Sequence, residues 1–135
     1  MESLLKLMIV MNSMIKNEQG LISELGDNEV FIFGSNLMGR HGGGAALQAH
    51  KWGAKNGVGV GRTSEKTYAI PTLDGDYKKL PLYVIEHYLN ELDDYTRTHS
   101  GLTFLLTKCG EGIAGFTSEE MESIMPEFPS NVIRV

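Results

Sequence analysis

The stretch Phe31-Ile32-Phe33-Gly34-Ser35-Asn36-Leu37-Met38-Gly39-Arg40-His41-Gly42-Gly43-Gly44 decides how this chain is read. Its first three residues, with Val30, form an unbroken β-branched and aromatic run, the pattern of a strand buried on both faces. A polar, glycine-rich crest follows. The spacing of Ala45, Ala49 and Trp52 then predicts a helix over 43–55 that lies close on a sheet. A second stretch repeats the design: 102–106 reads as a buried strand and runs through Thr107 into Lys108-Cys109-Gly110-Glu111-Gly112-Ile113-Ala114-Gly115-Phe116. Ligands of open α/β sheets lie beyond the carboxyl ends of the strands. Glycine lets backbone N–H groups approach a phosphate with no Cβ in the way, and a helix start near Gly43 or Gly44 aims its positive end at the same place. One such loop is ordinarily a tight turn; two together point to a site for a phosphorylated, nucleotide-type ligand.

Working outward, 67–70 reads as a short strand stopped by Pro71, and Leu73-Asp74-Gly75-Asp76 as a turn. The glycines of Asn56-Gly57-Val58-Gly59-Val60-Gly61 make that segment irregular. Residues 80–99 predict a helix with Pro81 in its first turn and a stripe of Leu82, Ile85, Leu89 and Leu92. Tyr88 and Tyr95 flank the stripe, while Glu86, Glu91, Asp93 and Asp94 face water. Thr117, followed by Ser118, Glu119 and Glu120, marks a helix N-terminus, and 131–135 supplies a last strand. Upstream, Leu4, Leu5, Met8, Met11 and Ile15 keep helical spacing, and 19–25 reads as a short helix closed by Gly26. Strands alternating with helices predict an α/β fold, a three-layer α/β/α sandwich. The expected division is a helical extension over 1–26 and one α/β domain over 27–135. The N-terminal helix is expected either to cover the sheet or to join a second copy in a homo-oligomer.

Length and composition narrow the function classes. The 135 residues, 41% apolar, suit a single core. A formal charge of −5 argues against general nucleic-acid binding or an anionic membrane surface, although Lys51, Lys55, Arg62 and Lys66 form a candidate basic patch. The apolar run at 4–10 falls short of the roughly 20 residues a bilayer span needs, and no cleavage site follows it. The lone Cys109 excludes an internal disulfide and a multi-cysteine metal site, and predicts a reducing, cytoplasmic setting. His50, His87 and His99 show no metal-ligand spacing, so neither metal nor cofactor is expected.

A strand, then Asn36, then glycines at 42–44 and an alanine-rich helix resemble the first ligand loop of macro domains, which are ADP-ribose-binding α/β/α sandwiches. The second crest is similar to the loop that wraps the diphosphate in that family, and the resemblance covers 28–135. The chain resembles still more closely a small group of uncharacterised phage-encoded proteins with the signature FGSN…GRHGGGAA…WGA…YAIPT. The resemblance implies a macro-domain-like mixed sheet and ligand contacts from both crests. These are Gly34, Ser35, Asn36, Arg40, His41, Gly42, Gly43 and Gly44, facing Lys108, Gly110, Gly112, Ile113, Ala114, Gly115 and Phe116. The asparagine matching Asn36 contacts the ribose distal to adenine in that family; an Asx turn closing the strand is the competing reading.

Hydrolytic members often place an acid just after the glycines, where this chain has Ala45 and Ala46. The nearest counterparts of the aspartate that binds the adenine amine are Asp27 and Glu29. Acid–base work would therefore fall to His41 and Glu111, one from each crest. Arg40 suits a phosphate as a bidentate donor, and Lys108 as a point charge. Cys109 reads as a small packing residue, and Phe116, ahead of Tyr68, as the ring that stacks on a base or ribose. The expected function is binding, and in effect sequestering, ADP-ribose or a related signal, as a phage counter-defence factor in the host cytoplasm. The alternatives are an ADP-ribosyl hydrolase and a non-catalytic protein-interaction factor on an α/β scaffold.

Overall fold

A computed structural model describes Ile15, Lys16 and residues 22–135. Its elements run β1 (Ile15–Lys16), β2 (Ile22–Glu24), β3 (Glu29–Asn36), α1 (Gly44–His50), β4 (Gly61–Ser64) and β5 (Thr67–Leu73), followed by α2 (Leu82–Thr98), β6 (Thr103–Leu106), α3 (Ser118–Glu122) and β7 (Val132–Arg134). Five strands form a mixed sheet in the order β4-β5-β3-β6-β7. Strand β3 is central and parallel to both β5 and β6; β7 continues the parallel run, and β4 is antiparallel at the far edge. Parallel neighbours need crossovers, and each of the three helices among the described residues sits in one.

The unbroken apolar run in β3 serves two cores at once, because side chains alternate across a strand. Val30 and Ile32 point to one face with Ile70, Phe104 and Leu106, where Ile85, Leu89 and Leu92 of α2 and Met121 of α3 cover them. Phe31 and Phe33 point to the other face with Ala69, Leu105 and Ile133, under Ala46 and Ala49 of α1. Small residues on α1 let it lie close to the aromatic rows. The fold is therefore α/β, with a sheet buried on both faces.

Several expectations need correction. Strand β5 runs through Pro71 to Leu73. The Phe31 N–H donates to the Lys66 carbonyl, so by parallel alternation the Pro71 nitrogen faces away from β3. On that side β4 has already ended opposite Ala69, and the missing donor breaks no ladder. Helix α1 stops well short of 55: Gly53 adopts φ +95, and the N–H groups of Gly53 and Ala54 return to the carbonyls of His50 and Ala49. That is a glycine-terminated helix end. Trp52 lies in this turn, with its ring centroid 4.9 Å from that of Phe31.

The helix read at 19–25 is strand β2 at Ile22–Glu24, paired antiparallel with β1, which also takes Ile15 out of the expected N-terminal helix. Ile22 is buried under α1, and the Gln48 amide bonds its carbonyl, so tertiary contact overrides local helix preference. The remainder of that helix, and the oligomer contact assigned to it, lie outside the described residues. Around the expected basic patch, Lys51 donates to the Ser23 carbonyl, Lys66 to that of Gly26, and Arg62 to Ser64 and Tyr95, so three of the four cations serve the fold.

Leu89 is fully buried between α2 and the sheet. Leu89→Ala is expected to cost about 3 kcal/mol in a urea unfolding titration, as a large-to-small core change does.

Candidate functional site

Because β3, β5 and β6 are parallel, their carboxyl ends emerge along one edge of the sheet. The loops leaving there enclose a cleft of about 400 Å³, within the size range of small-molecule sites. Both glycine crests line it. Gly34, Ser35, Asn36, Arg40 and Gly42 to Gly44 form one wall, and Lys108, Gly110, Gly112, Ile113 and Ala114 the other.

The first wall is held from behind by a close backbone approach. Gly39 has φ +67, and a Cβ there would collide with the backbone of Gly57 and Val58; a Cβ at Gly59 would collide with the Asn36 carbonyl. The Ser35 hydroxyl donates to the Gly59 carbonyl, and Gly57 N–H to that of Gly39 at 3.0 Å. The irregular 56–61 segment is thus a buttress. Asn36 lines the cleft, yet its amide is spent within the loop: Nδ2 donates to the Arg40 carbonyl at 2.8 Å, and Oδ1 accepts from Arg40 N–H at 3.1 Å. It therefore closes the turn and fixes the crest that carries Arg40.

His41 is not at the rim. It is 2% exposed, behind the crest, with Nε2 at 2.9 Å from the Lys55 carbonyl and 3.1 Å from that of Val58. Two acceptors require a proton on Nε2, so the neutral ring carries none on Nδ1, which is buried without a partner. Burial pushes its pKa below the ordinary 6.5, against the opposing pull of the Lys55 carbonyl. Glu111 also turns away from the cleft and accepts from the Ser118 hydroxyl at 2.6 Å. The expected His41–Glu111 pair is not assembled, because each side chain is committed to bracing its own loop.

In the second wall, Thr107 donates to the Ile32 carbonyl at 2.7 Å, and Phe116 N–H closes onto that of Gly110 at 2.9 Å. The Phe116 ring is buried in the core beside Met121, beneath the Lys79 ammonium 4.5 Å from its centroid, so it does not face the cleft. Gly115 likewise lies outside the lining, its carbonyl accepting from Lys79. Tyr68 is core, against Tyr95. Glu29, at the opposite end of β3 from Asn36, accepts from the Gly26 N–H, and neither it nor Asp27 reaches the cleft. Burial pushes the Cys109 thiol up to about 11, which leaves it an inert packing group.

The sequence reading missed a third loop, between β5 and α2, that brings Tyr77 into the lining opposite Arg40. The turn at Asp74-Gly75-Asp76 was legible, but nothing local showed that it faces the crests. Electrostatically the cleft departs from the rest of the chain. Arg40 and Lys108 line it and, among the described residues, no Asp, Glu or His does, in a protein of formal charge −5. Ala45 and Ala46 also line it, and Gly43 caps α1 without a side-chain bond. Among the described residues no cluster of three potential ligands could hold a metal, and no helix is long and apolar enough to cross a membrane.

No family model matches the sequence, and no curated protein matches it. Among solved structures, a protein of unknown function from Bacteroides thetaiotaomicron aligns with a TM-score of 0.50 at 21% identity. The alignment covers 83% of this chain and 86% of that one, a likeness of fold alone.

Two outcomes test this construction. Since the unfolded His41 protonates near 6.5 and the folded one only at lower pH, its contribution is fully present above 6.5 and fades as pH falls. The melting temperature is expected to drop between about pH 7 and about pH 5, and to drop less in His41→Gln, as calorimetric scans at stepped pH would show. Gly59→Ala is expected to cost about 2 kcal/mol or more in urea unfolding through its collision with Asn36.

Proposed function

We propose that this cleft binds ADP-ribose or a related ADP-ribose-derived nucleotide and holds it without cleaving it. The observation that carries the reading is the lining itself: two glycine walls with two cations and, among the described residues, no acid or histidine. Open backbone at Gly42 and Gly43 accepts a diphosphate closely, and Arg40 supplies charge-assisted hydrogen bonds. Hydrolysis asks for a group that activates water. His41 and Glu111 face away from the cleft, and Ala45 and Ala46 stand where hydrolytic macro domains often carry an acid, which favours holding over turnover. The same reading takes the mixed sheet, covered by helices on both faces, as a macro-domain-like three-layer sandwich. In the phage setting that the sequence resemblance implies, such a protein would sequester an ADP-ribose-derived signal.

Titration calorimetry with ADP-ribose tests this directly. Wild type is expected to bind and to leave the ligand intact by chromatography, and Arg40→Ala to bind about ten-fold more weakly through loss of a charged hydrogen bond. No heat with ADP-ribose or its cyclic derivatives overturns the reading. Gly43→Val separates it from a protein-interaction scaffold: Gly43 is extended at φ −160, and a side chain there meets only open space. Folding should survive while ADP-ribose no longer raises the melting temperature; in wild type, ligand at a hundred times its dissociation constant adds about 2.7 kcal/mol.

A further inference from the structure

Tyr77 has φ +61, the only non-glycine residue at positive φ among the described residues. A bulky side chain in that region is a conformational outlier that persists only when its surroundings over-determine it. Here the surroundings do so. The Asp74 carboxylate accepts from the N–H groups of Asp76 and Lys78 at 2.8 and 3.0 Å, which holds its pKa below the usual range, the Lys78 bond contributing most. The backbones of Asp74 and Lys78 are also bonded, and Leu73 bridges to Lys79.

This strap is tied to both glycine crests. Gly75 lies against Met38 of the first crest, and Lys79 donates to Gly115 of the second and sits over Phe116. The result is an aromatic ring fixed at the cleft mouth yet 50% exposed. The Arg40 guanidinium lies 5.9 Å from its centroid, and the bond from Arg40 to the Tyr77 hydroxyl is long, at 3.4 Å. With these contacts in place the residue is still half exposed. Ile113 of the second crest is also a lining residue and is 81% exposed.

We infer that Tyr77 is the stacking platform for the planar base of the nucleotide whose anionic part lies on the glycine walls. The inference rests on the nucleotide reading of the cleft and adds its base subsite. Arg40, which lines the cleft beside this ring, then faces the phosphates.

The test is calorimetry and difference absorbance near 260 nm with ADP-ribose on wild type, Tyr77→Phe and Tyr77→Asn. Asparagine tolerates positive φ, so Tyr77→Asn should fold with an unchanged or raised melting temperature. It is expected to bind ADP-ribose about ten-fold more weakly, the scale of one lost base–aromatic stack, and to lose the hypochromism that wild type shows on binding. Tyr77→Phe, which removes only the hydroxyl, should match wild type in both readouts. Unchanged affinity and hypochromism in Tyr77→Asn overturn the stacking role while leaving the nucleotide site standing, and so does an equal loss in Tyr77→Phe. No binding of ADP-ribose by wild type overturns the nucleotide reading and this one with it.

Discussion

The parallel pairing of β3 with β5 and β6 is the constraint on which the rest of the structure depends. Parallel strands send the loops that leave their carboxyl ends to the same edge and require crossover connections, usually helices. Both follow once Phe31 pairs with Thr67 on one side and Leu105 on the other. The alternation of Val30, Phe31, Ile32 and Phe33 between two cores fixes that pairing, because a slip of one residue would exchange the faces. The cleft is a consequence of this register. Three loops far apart in sequence become neighbours because the strands beneath them are aligned.

What the loops do with that placement is set by backbone contact more than by side chains. The first crest lies on the 56–61 segment at a distance that only glycine permits at Gly39 and Gly59. Asn36 and Ser35, which read as ligand residues, hold this arrangement with bonds to Arg40 and Gly59. The lining face of that wall, at Gly42, Gly43 and Gly44, leaves open space beside the backbone, which suits close approach of a ligand. The two lining cations then concentrate positive charge in a chain that is otherwise acidic.

His41 shows where residue type misleads. Beside Arg40 and ahead of three glycines it reads as a rim group with acid–base capacity. Its ring instead fills the space between Phe33 and His50, with Nε2 on two buttress carbonyls. Phe116 makes the same point in the second crest, since its ring completes the core and the aromatic at the cleft mouth is Tyr77 from a loop read as a plain turn. In each case the deciding fact is which way a loop side chain points. That is fixed by contacts with residues 14 to 36 positions away, and no local pattern records it.

The sequence by itself determined the buried strands, the long helix α2, the helix start at Thr117 and the pairing of two glycine crests on one edge, because periodicity, end signals and apolar runs are local physics. It also held the stop signal at Gly53, which a continuing alanine pattern obscured. Only the tertiary structure decided that β5 passes through Pro71, that Ile22–Glu24 is strand, that His41 and Glu111 stay apart, and that Tyr77 faces the glycine walls. Each of these turns on a neighbour distant in the chain: an absent strand beside Pro71, a helix over Ile22, a carbonyl pair around His41, a strap anchored at both ends. Such neighbours are supplied by the fold, and residue identity alone does not specify them.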